Sequence, residues 1–231
     1  AAQSFTALPS FEQWCLSPDA GYCHITSNET GNGLQLRDFP QLAVPLVADM
    51  TSDFLTRPIP VERFGLIYAS AQKNLGIAGL CVVIVHQNLL RRPPRHLPAA
   101  FSYAVQAEQQ SRFNTPPTFA LYVAGLMLRW IRQNGGLPAM DEAAQRRSRE
   151  LYRYIDTSRI YRCRQHPPDR SAINVCFRLI EPGLTDTFVQ QAAQHGLYNL
   201  HGHAAEGGIR ASLYNAMPQA GVRRLIDRKS V

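Results

Sequence analysis

Three nearly unbroken apolar runs constrain this 231-residue chain more than any other feature. They are "LAVPLVADM" (42–50), "RFGLIYAS" (63–70) and "GLCVVIVH" (79–86). Short runs of this kind read as strands of a sheet covered on both faces, the arrangement of α/β proteins. "YCHIT" (22–26) reads as a further strand, and "SNETGNG" (27–33) carries the Gly and Asn of a turn.

The remaining elements follow from punctuation. The prolines of "FNTPPTF" (113–119) halt one element and launch a helix that is expected to run to about Asn134. "GG" at 135–136 is expected to end it, and Asp141 to cap or start a second helix reaching about Tyr154. Beyond 158 come a strand (173–180), an amphipathic helix (184–196) ending at Gly196, a glycine-led strand (207–216) and a final helix within "QAGVRRLIDRKSV". The texture change around Gly135–Asp141 divides the chain into 1–137 and a small α/β domain, 138–231, that includes the long connecting helix.

Composition excludes several classes. With 45% hydrophobic and 18% charged residues, the chain falls among ordinary globular proteins. The longest apolar stretch, "FALYVAGLMLRWI" from Phe119, is broken by Arg129 and reads as a buried or amphipathic helix, so no membrane partner is expected. "AAQSFTALPS" has neither the basic start nor the apolar core of a signal peptide. Five scattered cysteines form no metal-ligand spacing, and free thiols in a reducing cytoplasm are expected, with no metal. The formal charge of +7 rests on arginines, in "RRPPR" (91–95) and on a helix where Glu142, Glu150 and Asp156 intervene. That pattern suits a solvated face, and no zinc-finger, basic-zipper or RNA-binding signature accompanies it, so no nucleic-acid partner is expected.

One stretch asks for chemistry. "FGLIYASAQKNLG" (64–76) delivers Lys73 just past an apolar run, among residues too small to shield it. A lysine whose pKa falls on burial can attack a carbonyl and form a Schiff base, most widely with pyridoxal phosphate. That cofactor needs a carboxylate at its pyridine nitrogen, donors for its phosphate, and an arginine for the substrate carboxylate. Asp49 ends its run 24 residues before Lys73, so two neighbouring strand ends could present both groups to one crevice. Asn114 and Thr115 offer polar groups on a proline-stiffened loop, and Arg210 lies on a strand of the C-terminal domain. Read singly, Lys73 is a surface or capping lysine, Asp49 a turn cap, "FNTPP" a proline turn and Arg210 an ion-pair partner. The residues alone lead to a lysine-centred site in an α/β protein.

The segments "TSNETGNG", "VADMTSDFLTRPI", "YASAQKNLGIAGLCVVIV", "FNTPPTFALY", "NGGLPAMD" and "GGIRASLYNAMP", in that order, resemble the phosphoserine aminotransferases, class-V members of the fold-type I pyridoxal-phosphate enzymes. The resemblance runs from about Trp14 to about Arg224. It implies that residues 1–137 are the C-terminal part of a cofactor-binding large domain, a mainly parallel sheet with helices on both faces. It implies that Lys73 holds the cofactor and moves a proton at the substrate α-carbon, while Asp49 faces the pyridine nitrogen. Thr30 would contact the cofactor, Gln72 its phosphate, and Asn114 and Thr115 the cofactor phosphate of a dimer partner. Arg210 would grip the α-carboxylate, and His203 would sit near the substrate's phosphate. The implied protein is a cytoplasmic homodimer of the serine route, converting phosphoserine and 2-oxoglutarate into 3-phosphohydroxypyruvate and glutamate.

Three departures from the family pattern bear on this expectation. The family's longer N-terminal part, with its glycine turn, stacking aromatic and a substrate arginine, is expected to be missing ahead of Ala1. Ala204 stands where the family has a basic residue after the histidine of "GH", with Glu206 nearby. The chain also stops at "RKSV", inside an expected longer helix. The alternatives to the transaminase are a non-catalytic remnant that keeps the fold and dimer surface, and an aminotransferase for an unphosphorylated acceptor. Either way, apolar surface should be exposed for another chain to cover.

Overall fold

The structure is a computed structural model that describes residues 5–91 and 97–227. Most of the basic run "RRPPR" and the end of the expected final helix lie outside those residues. The strands are β1 (Cys23–Thr26), β2 (Asn28–Glu29), β3 (Leu34–Gln35), β4 (Leu46–Asp49), β5 (Leu66–Ser70), β6 (Cys81–Val85), β7 (Tyr161–Arg162), β8 (Asn174–Leu179) and β9 (Ile209–Ser212). The α-helices are α1 (Gln87–Leu90), α2 (Tyr103–Glu108), α3 (Thr118–Gln133), α4 (Gly136–Thr157), α5 (Thr185–Gln194) and α6 (Gln219–Asp227). The chain forms two compact units, one of Trp14–Ser27 and Phe39–Leu137, the other of Ala1–Gln13, Asn28–Asp38 and Pro138–Val231.

The first unit is built on a sheet of order β1-β4-β5-β6, parallel through β5 and closed by antiparallel β6. Cys23, Ile25, Leu46, Ala48 and Ile67 bury one of its faces. The opposite face carries Thr26, Val47, Asp49 and Tyr68, all half-buried. The protein is therefore α/β with a mostly parallel sheet, as the unbroken apolar runs imply. Proline sets where β4 begins. Pro45 has no N–H for a ladder, so pairing starts at Leu46, while the Pro45 carbonyl accepts from the Cys23 N–H at 2.9 Å.

The second unit is an antiparallel sheet, β7-β8-β9, with the β2–β3 hairpin laid against it. Alternation along "NVCFRL" turns Val175, Phe177 and Leu179 inward, where they meet Leu151 and Ile155 of α4, Phe188 and Ala192 of α5, and Val222 and Leu225 of α6. Tyr161 and Phe177 meet edge to face at 5.5 Å, and Phe188 completes the aromatic cluster. The hairpin is sewn on by buried polar groups. Asn28 Nδ2 donates to Asn174 Oδ1 at 2.8 Å, Asn174 Nδ2 to Ser212 Oγ at 3.0 Å, and the Ala172 N–H to Gln35 Oε1 at 3.1 Å. Buried amides of this kind need every partner, so the hairpin's position is closely specified.

Two elements depart from the sequence expectation. α4 starts at Gly136 rather than near Asp141, because Gly135 and Gly136, at φ 92° and 70°, turn the chain straight out of α3 and Pro138 fits the first helical turn. α3 buries only a narrow stripe of small residues and one isoleucine, and its large apolar side chains lie outside that stripe. Only Ala120, Ala124 and Ile131 are buried, while Phe119, Leu121, Tyr122, Leu126, Leu128 and Trp130 are exposed.

Gly33 marks the tightest point of the hairpin. It sits at φ 77°, and a Cβ there would stand 2.7 Å from the Asn174 carbonyl oxygen and 3.1 Å from Cys176 Sγ. Gly33→Ala is expected to lower stability by roughly 1–3 kcal/mol, read as a drop in thermal midpoint. An unchanged midpoint would mean that the hairpin is not pressed against β8.

Candidate functional site

In the parallel-sheet unit, one row of the sheet sets the chemistry. Asp49 ends β4 and stands in register with Thr26 of β1 and Tyr68 of β5. Its Oδ1 accepts the Thr51 N–H at 2.8 Å, which fixes the carboxylate over the turn. Its carbonyl accepts from the Ser27 N–H at 3.0 Å and the Ser27 hydroxyl at 3.2 Å. The Tyr68 hydroxyl lies 3.1 Å from His24 Nε2. Burial, and after it the negative charge of Asp49, pushes the Tyr68 phenol above its usual range.

Lys73 is half-buried in the turn after β5, where the N–H groups of Leu75 and Gly76 both bond the Ala71 carbonyl, at 3.1 and 2.8 Å. Two hydrogen bonds tie this turn to the loop after Asp49. The Ser70 N–H donates to Thr51 Oγ1 at 3.2 Å, and Asn74 Nδ2 to the Ser52 carbonyl at 3.1 Å. Ala71 and Leu75 pack beneath, against Ala124 of α3. The carboxylate and the amine are thus carried by linked loops at the carboxyl ends of adjacent parallel strands, where ligands of open α/β sheets collect. Gln72 is exposed in the same turn, and Asn114 and Thr115 are exposed on the loop before α3.

In the antiparallel-sheet unit, Thr30 is half-buried in the hairpin turn. His203 opens a tight turn in which its carbonyl accepts from the Glu206 and Gly207 N–H groups, at 2.9 and 2.7 Å. Its ring rests on the hairpin, since a carbon added at Gly31 would stand 3.4 Å from His203 Cγ. Arg210 pairs in register with Cys176 across β8 and β9, and its Nε is buried with no hydrogen-bond partner among the described residues. Thr30, His203 and Arg210 therefore gather in this unit, and Asp49, Gln72, Lys73, Asn114 and Thr115 belong to the other.

Sequence reasoning passed over His24, Tyr68, Cys176 and Arg178. The first two follow only from strand register. The last two carried a signal, because the alternation of "NVCFRL" puts them on the face of β8 away from its apolar core.

Comparison with known proteins identifies the family. The aminotransferase class-V family model matches residues 5–225, so the chain belongs to that family, whose cofactor is pyridoxal phosphate. More narrowly, it is similar to phosphoserine aminotransferases. It is 47% identical over 234 residues to that of Nitrosomonas europaea, covering 97% of this chain and 64% of the relative. It is 48% identical over 222 residues to that of Acidithiobacillus ferrooxidans, covering 95% and 61%. Among solved structures, phosphoserine aminotransferase from Bacillus circulans subsp. alkalophilus superposes with a TM-score of 0.93 at 41% identity, over 96% of this chain and 62% of that one. The pyridoxal-phosphate-bound phosphoserine aminotransferase of Trichomonas vaginalis gives a TM-score of 0.92 at 38% identity, over 97% and 64%. The chain spans under two thirds of the length of these relatives. The donor set fits the cofactor, with a held carboxylate for the ring nitrogen and an amine for the aldehyde on neighbouring strand ends.

Burial raises the Cys176 thiol from an ordinary 9.0 to about 12, with Arg210 pulling the other way. Its stabilising contribution is complete below pH 9, where both states are protonated, and is lost as pH rises toward 12. At pH 8, iodoacetamide should label exposed Cys15 and Cys81 and spare Cys176, as mapped by peptide mass spectrometry. Equal labelling of Cys176 would contradict the packing of the hairpin on β8.

Proposed function

We propose that this protein catalyses pyridoxal-phosphate-dependent amino transfer from phosphoserine to 2-oxoglutarate, giving 3-phosphohydroxypyruvate and glutamate in cytoplasmic serine biosynthesis. The observation that carries this reading is the linkage of Asp49 and Lys73 through Thr51, Ser70, Ser52 and Asn74 at adjacent strand ends. Similarity to phosphoserine aminotransferases along 97% of the chain narrows the substrate.

When bound, pyridoxal phosphate supplies an aldehyde and an electron sink. The chain's own groups do the rest. With the cofactor held, Lys73 Nζ would be the group that takes the proton from the substrate α-carbon and carries it toward the cofactor. Asp49 keeps the pyridine nitrogen protonated, helped by the Thr51 N–H that fixes one of its oxygens. Gln72 donates to the cofactor phosphate, and Thr30 contacts the cofactor. Arg210 takes the α-carboxylate in a two-pronged contact, which gives its buried Nε an acceptor. His203 stands beside the substrate's phosphate.

The working protein is a homodimer in this reading, with Asn114 and Thr115 serving the partner's cofactor phosphate. Their exposure, and the exposed apolar row Phe119, Tyr122, Leu126 and Trp130 on α3, support an interface there. Light scattering should return a dimer mass, and a monodisperse monomer would overturn that part of the proposal. The same exposed apolar surface favours a second reading, a protein that keeps fold and interface without holding the cofactor.

Visible absorption separates the two readings. Mixed with pyridoxal phosphate, the protein should turn yellow, borohydride should fix the cofactor to Lys73, and Lys73→Ala should abolish the fixation. Phosphoserine added before reduction should bleach the colour. A colourless wild-type protein would sink the transaminase reading and leave the second in place.

A further inference from the structure

The outward face of the antiparallel sheet is cationic. Cys176 and Arg210 are register partners on β8 and β9, and Arg178 lies two residues along β8 on the same face. Arg178 stands directly opposite Arg162 of β7. Arg164, just beyond β7, lines a small open cleft with Arg178, Gly31, Asn32 and Glu206, the one carboxylate among its lining residues. Like charges directly opposite on a sheet are destabilising. Yet among the described residues none of Arg162, Arg164, Arg178 and Arg210 forms an ion pair. The interior face of the same strands is the apolar core, so these arginines have no way to turn inward.

Arg178 is placed with some care. It is half-buried, and its guanidinium donates to the Glu206 carbonyl in the turn that carries His203. Gly208 makes room for its stem, since a Cβ there would stand 2.8 Å from Arg178 Cγ. One hydrogen bond uses one of five guanidinium donors, which leaves the others for a ligand. Arg178 and Arg210 are diagonal neighbours, about 7–8 Å apart at their origins. Two guanidinium groups carried on one face at that separation suit a ligand with an anion at each end.

We propose that Arg178 is a specificity-determining residue of the substrate site, pairing with the distal phosphate of the amino-acid substrate while Arg210 holds its α-carboxylate. The proposal rests on the functional reading above and adds to it the cation that selects a phosphorylated substrate. The bond to the Glu206 carbonyl keeps the guanidinium beside the His203 turn, so His203 and Arg178 flank the phosphate together.

Calorimetric binding of O-phospho-L-serine and of L-serine to the cofactor-loaded protein tests this, using wild type, Arg178→Gln, Arg178→Lys and Arg162→Gln. Arg178→Gln should weaken phosphoserine binding by about 10- to 100-fold and leave serine binding unchanged, with Arg178→Lys intermediate. Arg162→Gln, which removes an exposed charge from the same face, should weaken it by less than about 3-fold. Equal loss of both ligands in Arg178→Gln would make the arginine a clamp on the His203 turn and overturn the proposal. So would a loss in Arg162→Gln as large as that in Arg178→Gln, or wild-type protein that binds phosphoserine no more tightly than serine. The yellow colour with pyridoxal phosphate would survive any of these outcomes, so failure here is distinct from failure of the transaminase reading.

Discussion

The register of the parallel sheet is the constraint on which the candidate chemistry depends. Thr26, Asp49 and Tyr68 occupy one row across β1, β4 and β5. A slip of one residue would turn Asp49 into the buried face and bring Ala48 out in its place. The pattern holds because Cys23, Ile25, Leu46, Ala48 and Ile67 must all stay on the buried side. Burial of those side chains therefore places a carboxylate that contributes nothing to the core. The loops then keep what the register provides, through the Thr51 N–H on Asp49 and the Asn74–Ser52 bond beside Lys73.

The antiparallel-sheet unit reaches a similar end by different means. Its core is apolar and aromatic, from Leu151 and Ile155 through Phe177 and Phe188 to Val222. Its other face is polar apart from Cys176, with Asn174 and Ser212 at one end and Arg178 at the other. Period-two alternation sorts these residues, and the apolar demand of one face leaves the other free to hold cations. The buried Asn28–Asn174 contact then holds the Thr30 turn against that face.

Much of this was legible before any coordinates. The apolar runs gave the α/β class, and the motif blocks around "YASAQKNLG" and "GGIRAS" gave the family and its candidate residues. Where reading failed, the reasons are local. "GG" does stop α3, but the two glycines turn the chain at positive φ within their own length, and Pro138 sits in the first turn of an α4 that starts ahead of Asp141. α3 reads as a buried or amphipathic helix, but apolar content signals burial without saying against what, and its buried stripe is narrow while most of its large side chains face outward.

By itself the sequence determined which residue types could do the chemistry, the class of fold, and the membership of the family, because composition, periodicity and motif order are properties of the chain alone. It did not reveal that Tyr68 leans on Asp49, that Asn74 ties the lysine turn to Ser52, or that Arg162, Arg178 and Arg210 share one face. Those are relations between residues 16 to 48 positions apart in the chain. Only strand pairing and packing, which minimise buried polar groups and exposed apolar ones at once, decide which of them meet.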